Sequence, residues 1–513
     1  MTIRSSTLAL VALLAPVAGQ AQAPAVTRAA ASITEADVRR RIGILSDDSM
    51  GGRNTPSPGL TKTADYIARE FKRLGLKPGG DDGGYLMRYP IQQKRLLLAS
   101  SFVSFTGAEG RSVKLMFGRD AAIASRGLPA GEGRGSLVLV GGIGRFDSLP
   151  KAELRDKFIL FAADWNRPDA ATRFGALARV ALEAGARGLV AVVNSDSAFA
   201  SRYGARTGRE WEVVGGQQGS FYQVVVREGA IIAQAPEAAE QFAQLRAAPS
   251  LVAQAAPNFE GLVSLRDTTV SEVFAPNVVG ILEGSDPVLK NEFVIYSAHM
   301  DHIGTAGQPG ARCGAMGADS ICNGADDDAS GTAAVLELAE AYAPRGARPK
   351  RSMIFLTVSG EEHGLWGSEW FVDHPPVPLP QVVADLNADM IGRNWSDTIV
   401  AIGKEHSDLG TTLNRVNTAH PELKLSAIDD RWPEQRFYER SDHYNFAKKG
   451  VPILFFFNGV HADYHRPSDS VEKIDAEKEA RIVRLLFYVG QEVANAARRP
   501  QWAPMSYKSI VTP

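Results

Sequence analysis

The sequence predicts an α/β protein with a mostly parallel (mixed) central sheet, helices on both of its faces, and a smaller β-rich inserted domain. Three observations carry that prediction. From Asn277 onward, short apolar runs alternate with amphipathic stretches of helical period, the pattern of a sheet covered on both sides. Between roughly Phe117 and Leu262 the texture changes to brief buried-strand runs separated by small residues. All nine histidines fall between His299 and His465, and the carboxylates among them follow predicted strands, where open α/β sheets collect their ligands.

The elements follow in chain order. Residues 1–6 carry one positive charge, at Arg4, residues 8–17 are almost wholly apolar, and Ala18, Gly19, Ala21 and Ala23 are small. That order predicts a secretory signal peptide over 1–23, with an apolar run too short to span a bilayer. An exported protein, periplasmic or secreted and without stable membrane insertion, is expected, with residues 24–31 a disordered leader. Val38, Ile42 and Leu45 make one helical stripe; Tyr66, Ile67, Phe71 and Leu74 make a second, which Gly75 is placed to end. Strands are expected within 85–105. Residues 33–116 are assigned to the N-terminal part of the main domain, 117–262 to the insert, and 270–500 to the remainder of the main domain. Inside the insert, 137–140, 158–161 and 189–193 read as strands and 171–185 as a small-residue helix. The stretch 233–256, rich in alanine and glutamine, reads as a surface helix and linker. In the last segment, strands over 278–282, 293–297, 353–358, 382–386 and 453–457 alternate with helices over 332–342, 365–372 and 476–496.

Size and charge narrow the function classes. At 513 residues the chain is too long for one ordinary domain, and 44% hydrophobic with 22% charged residues is the balance of a soluble globular protein. A formal net charge of -2 with no basic run argues against nucleic acid as a partner. The only cysteines, Cys313 and Cys322, lie in the loop between the first histidine motif and the aspartate motif, and an exported protein can join them as a disulfide.

The chemistry concentrates in five motifs: Ser297-Ala298-His299-Met300-Asp301-His302, Asn323-Gly324-Ala325-Asp326-Asp327-Asp328, Ser359-Gly360-Glu361-Glu362, Asn387-Ala388-Asp389-Met390, and Asp463-Tyr464-His465. Imidazole and carboxylate donors without cysteine suit zinc or a related borderline cation. Two histidines sharing several carboxylates can hold a pair of ions, which makes hydrolysis the first function to consider. Any one of Asp326, Asp327 and Asp328 could supply a bridging carboxylate.

Taken in order, these motifs resemble those of the co-catalytic di-zinc aminopeptidase family. This is the bacterial leucyl-aminopeptidase type, whose relatives include the membrane glutamate carboxypeptidases and the transferrin receptor. The resemblance implies a zinc-exopeptidase-like fold and two Zn2+ ions, with Mn2+ or Co2+ as possible occupants. It implies His299 and Asp389 on one ion, Glu362 and His465 on the other, and Asp327 bridging them. Glu361 becomes the general base for a metal-bridging hydroxide, and Tyr464 the group that stabilises the oxyanion. Asp301 and Asp469 are expected to accept the spare N–H of His299 and His465. His302 is expected near the site without binding metal, and His443 is expected to shape the substrate pocket. His363, His374, His406, His420 and His461 are expected at the surface or in loops. The insert resembles the protease-associated domain, through the Ala184-Gly185-Ala186-Arg187-Gly188 turn before a strand and Asn194.

The expected function is therefore an aminopeptidase acting on peptides. A carboxypeptidase on the same scaffold is the alternative, because Arg393, Arg431, Arg436 and Arg440 near the later motifs could bind a terminal carboxylate. A non-catalytic receptor is the reading from another class, disfavoured by the complete ligand set with Glu361. A one-zinc cyclase of the same fold is disfavoured by the bridging carboxylate. The sequence does not specify an oligomeric state.

Overall fold

The computed structural model describes residues 24–107, 110–124, 129, 131–203, 209–216, 221–308, 310–343 and 347–512; the expected leader over 1–23 lies outside the described residues. Seven strands build most of the larger sheet: β1 (Leu86–Leu96), β2 (Asp267–Leu282), β3 (Phe293–His299), β4 (Ser352–Val358), β5 (Val382–Ala388), β6 (Thr398–Ile402) and β7 (Ile453–Phe456). Across the sheet the order is Ser426–Ile428, β6, β7, β5, β3, β4, β2, β1 and Arg209–Val213, with Lys77–Pro78 paired to β2.

Strands β7, β5, β3 and β4 are mutually parallel. Outside them, β6 is antiparallel to β7, β2 to β4, β1 to β2, and Arg209–Val213 to β1. The four-strand parallel run thus occupies the centre of the sheet, where crossover helices connect the strands, and one further parallel pair, β6 with Ser426–Ile428, stands at the edge. On the β2 side, chain entering from the smaller lobe pairs without a crossover, as antiparallel strands permit.

The central strands are continuous apolar runs because both of their faces are covered. In β3, Val294, Tyr296 and Ala298 point into one core and Phe293 and Ile295 into the other. The first core is closed by α1 (Glu35–Leu45), α2 (Pro58–Arg73), α3 (Gly331–Tyr342) and α4 (Ala476–Asn495), through residues such as Ile42, Phe71, Leu338 and Leu486. Thr34 caps α1 by accepting from the Asp37 N–H, and Ser57 caps α2 by accepting from the Leu60 N–H, each satisfying a donor that a helix start leaves free. Residues Pro24–Ala31 are helical, with Ala29 and Ala30 buried in this core, rather than a disordered leader. Among the described residues no helix is long and apolar enough to cross a membrane.

The smaller sheet has eight strands, in the order Ser112–Met116, Phe102–Gly107, Val252–Ser264, Glu132–Gly141, Phe158–Ala163, Gly188–Val193, Tyr222–Arg227 and Ala121–Ile123. Two expected boundaries move. The strands at Phe102–Gly107 and Ser112–Met116 belong to this sheet, so the chain leaves the larger one near residue 100 and not at 117. Of the stretch 233–256, expected as a surface helix and linker, the helix is present as Ala238–Ala247, and the linker part belongs instead to the strand Val252–Ser264, which pairs on both sides. Alanine and glutamine carry little strand signal of their own, so pairing partners decide the matter.

Candidate metal centre

The motif residues meet at the carboxyl ends of the parallel strands. His299 is the last residue of β3; Glu361 and Glu362 follow β4; Asp389 follows β5 directly. Asp327 lies in the turn Ala325–Ser330 that leads into α3, with a cis peptide between Asp327 and Asp328. His465 comes from the loop after β7, where its backbone has φ 57°.

Side-chain donors form two groups that share one carboxylate: His299, Asp327 and Asp389 in the first, and His302, Asp327, Glu362 and His465 in the second. In the first, His299 Nε2 is 3.3 Å from Asp327 Oδ1 and 3.7 Å from Asp389 Oδ1. In the second, His465 Nε2 is 3.1 Å from both Asp327 Oδ2 and Glu362 Oε1. Asp327 therefore gives one oxygen to each group. Four donors held at about 2.0–2.2 Å around a tetrahedral ion sit roughly 3.3 Å apart, and the spacings here cluster round that value. The second group's four atoms, His302 Nδ1, Asp327 Oδ2, Glu362 Oε1 and His465 Nε2, are buried and satisfy no hydrogen bond. Buried polar atoms left without partners are costly; a cation between them resolves all four at once, so these residues fit one.

Of the three aspartates only Asp327 faces this cluster. Asp326 accepts from the Gly392 N–H at 2.7 Å and lies 3.2 Å from His461 Nε2. Asp328 accepts from the N–H groups of His299, Gly331 and Met390 at 3.1, 2.8 and 3.2 Å, tying the end of β3, the start of α3 and the segment after β5 together.

The electrostatics have the character of a site short of positive charge. Burial opposes protonation of His299, yet Glu361, Asp389, Asp301 and Asp327 around it raise its pKa well above the usual imidazole value. His465 is likewise raised to about 9, burial being outweighed by Asp327 and Glu362. Burial pushes the Glu361 carboxyl well above the ordinary range, with Glu362, Asp442 and Asp389 adding to the shift and His299 opposing it. A carboxyl with raised proton affinity suits a group that must take up and return a proton. Glu361 Oε2 is 3.9 Å from His299 Nε2 and lines a cavity with His299, Asp327, Asp389 and Tyr464. The Tyr464 ring stacks on His465 with centroids 3.8 Å apart, and burial beside these carboxylates holds its hydroxyl far above its usual pKa, so it remains a donor.

Several supporting roles differ from expectation. The backbone carbonyl of Asp301, not its carboxylate, lies in hydrogen-bond range of His299 Nδ1, at 3.2 Å against 3.7 Å. The carboxylate instead accepts from Thr55 Oγ1 at 2.9 Å and from the Glu361 N–H at 3.3 Å, fixing the loop that carries the two glutamates. Asp469 does not reach His465; its oxygens accept from the N–H groups of Asp326 and Asp327 at 3.1–3.2 Å. The spacing of four residues suggested the wrong partner because the Asp469 carboxylate is drawn to the backbone of the aspartate turn. His461, expected at the surface or in a loop, lies in a loop, with its side chain only 4% exposed and set against Asp326. His443 is fully buried, stacked on Phe455 at 4.2 Å. His363 and His374 stack on Trp366 and Trp370, and His420 on Tyr488. His406 packs edge-on against Tyr438. Cys313 and Cys322 are bonded to each other.

Three residues escaped sequence reasoning. Arg53, fully buried, donates to the carbonyls of Met300, Leu45, Asn323 and Gly324 and so braces two motif loops at once. Arg312, beside Cys313, donates to Glu362 Oε2 at 2.5 Å and to the Glu362 carbonyl at 2.6 Å, leaving Oε1 to face the donor group. Ser441 Oγ donates to Asp389 Oδ2 at 2.8 Å. The signal for Ser441 was the Arg440-Ser441-Asp442-His443 motif; the two arginines carry no local signal.

Residues 277–490 match the model of peptidase family M28. A probable leucine aminopeptidase of Trichophyton verrucosum is 27% identical over 231 residues, 43% of this chain and 58% of its own. A probable zinc metalloprotease of Leptosphaeria maculans is 33% identical over 245 residues, 40% of this chain and 54% of its own. The chain spans about half the length of the curated relatives it matches. Among solved structures, an aminopeptidase from Aneurinibacillus sp. strain AM-1 shares the fold with a TM-score of 0.53 at 18% identity, over 92% of this chain and 97% of its own.

Proposed function

We propose that this chain, whose residues 277–490 belong to peptidase family M28, is a two-zinc aminopeptidase that removes N-terminal residues from peptides. The observation that carries the reading is the division of Asp327: its two carboxylate oxygens serve two donor groups of imidazole and carboxylate, with Glu361 beside them. Bound zinc would supply Lewis acidity there, polarising a scissile carbonyl and lowering the pKa of water toward about 7.

The protein's own groups do the rest. Glu361 takes the proton of the attacking water and returns it to the leaving amine, a role its raised proton affinity suits. Tyr464, kept protonated beside His465, donates its hydroxyl hydrogen to the oxyanion of the tetrahedral intermediate. Ser441 and Arg312 hold the outer oxygens of Asp389 and Glu362 so that one oxygen of each faces inward. The cavity beside them is walled by Phe437, Phe455, Phe457 and Met390, which suits an apolar side chain. The disulfide fits export of the protein, and the lobe of residues 102–264 is read as a protease-associated insert.

The test is a metal count paired with a substrate series. Two equivalents of zinc and chelator-sensitive release of 4-nitroaniline from free aminoacyl-nitroanilides, with none from N-acetylated ones, are expected. One observation favours a second reading. Of the four arginines near the later motifs, Arg440 alone lines the cavity, and it makes no ion pair among the described residues. Arg393 is engaged by Asp463, and Arg436 by Glu439 and Glu183. Cleavage of N-blocked peptides that stops when the C-terminus is amidated would establish carboxypeptidase action in place of the first reading.

A further inference from the structure

The two donor groups are unequal, and the inequality comes from His302. Its ring is fully buried, and both of its nitrogens lack a hydrogen-bond partner. Nδ1 lies 3.1 Å from Glu362 Oε1 and 3.6 Å from Asp327 Oδ2, within the spacing that the other donors of the second group keep. A histidine serving only as a neutral hydrogen-bond donor would align its N–H on one carboxylate oxygen; this one is aligned on none.

The backbone is also shaped to admit the ring. Gly324 has φ 57°, and a Cβ there would come within 2.6 Å of His302 Cγ and Cδ2. The residue before the aspartate turn is thus one that leaves room for imidazole. Directly after Asp301, and three residues beyond the end of β3 at His299, His302 also shares the rigid hand-over from that strand, its N–H donating to the Arg53 carbonyl at 3.2 Å.

Resting on the two-cation reading above, we propose that His302 is itself a protein ligand of the cation held by Glu362 and His465. That position then has four protein donors, counting the shared Asp327, and the position of His299, Asp327 and Asp389 has three. Sites closed by four protein ligands are the pattern of firmly held ions, and sites with three keep a place for solvent or substrate. The assignment makes the centre asymmetric. The four-donor position fills first, and the three-donor position is the one that meets the scissile carbonyl.

Zinc X-ray absorption on metal-free wild-type protein reloaded with a single equivalent tests this directly. Two imidazoles around that ion, His302 and His465, are expected; one imidazole overturns the proposal. Titration of metal-free protein with Co2+, followed by absorption, supplies the second measurement. His302→Asn is expected to weaken one of two binding steps at least ~10-fold, the same step that His465→Asn weakens, and to leave the other unchanged. A His302→Asn protein that folds and keeps both steps at wild-type affinity overturns the assignment while leaving the two-cation reading in place. A wild-type protein that binds fewer than two ions overturns both.

Discussion

The two sheets of this chain are built alike at their centres and end differently. In the larger one, parallel strands β3, β4 and β5 run out into His299, Glu361 with Glu362, and Asp389. In the smaller one, the parallel strands Phe158–Ala163 and Gly188–Val193 are buried throughout and Glu132–Gly141 and Tyr222–Arg227 only in part, and the residues that follow the four are Gly142, Asp164, Asn194 and Glu228. No histidine lies anywhere in the smaller lobe, since all nine come at or after His299. The same architectural device gives a place for ligands in both; only the residues at the strand ends make one of them a chemical site.

That contrast yields four experiments. The largest effect is expected from Glu361→Gln, which removes the proton carrier and keeps the shape: kcat should fall by about 10²–10⁴-fold with both zinc equivalents retained. Undiminished turnover would remove Glu361 from the mechanism and with it the claim that the strand-end carboxylates do the work. The smaller lobe should answer in a different currency. Leu189 is fully buried there, and Leu189→Ala should cost about 2–5 kcal/mol of stability, read by denaturant unfolding, with kcat per folded molecule unchanged. A matching fall in kcat would show that the smaller sheet shapes the site.

Arg312→Ala frees the outer oxygen of Glu362 and should weaken binding of one zinc by about 10–100-fold, measured by competition with a chromophoric chelator. Unaltered affinity for both ions would make Arg312 a surface residue only. The fourth experiment separates structural from chemical histidines within the larger sheet. Burial lowers the pKa of His443 to about 3. Below about pH 6.5 the unfolded chain gains a proton that the folded protein refuses, so stability falls as pH drops through that window, by up to ~1.4 kcal/mol per unit. His443→Phe should flatten that slope; an unchanged slope between pH 6 and 4 would assign acid sensitivity elsewhere.

Much of this was legible in the sequence, for reasons that are local. The helix stripe of Val38, Ile42 and Leu45 and the apolar runs of β3, β4 and β7 encode their own periodicity, and the motif residues follow those runs directly. What was not legible depends on distant partners. Arg53 meets Gly324 across 271 positions, and nothing in the turn Asp48–Arg53 announces it. His461 is a loop residue, and nothing near it in the chain announces that its ring packs against Asp326. The strand Val252–Ser264 takes its form from the strands on either side, since its own composition is that of a linker. The Asp469 expectation failed by the same logic in reverse, because nearness along the chain stood in for nearness in space.

The bond between Cys313 and Cys322 has a practical consequence. It closes the loop whose Arg312 donates to Glu362, with both sulfurs buried beside Ile303, so breaking it would loosen the arm that orients a carboxylate of the proposed second metal position. A reductant would then behave as a slow stripping agent, drawing out one cation in preference to the other. Protein handled in tris(2-carboxyethyl)phosphine, a reductant without the zinc-binding thiols of dithiothreitol, should look partially metal-depleted.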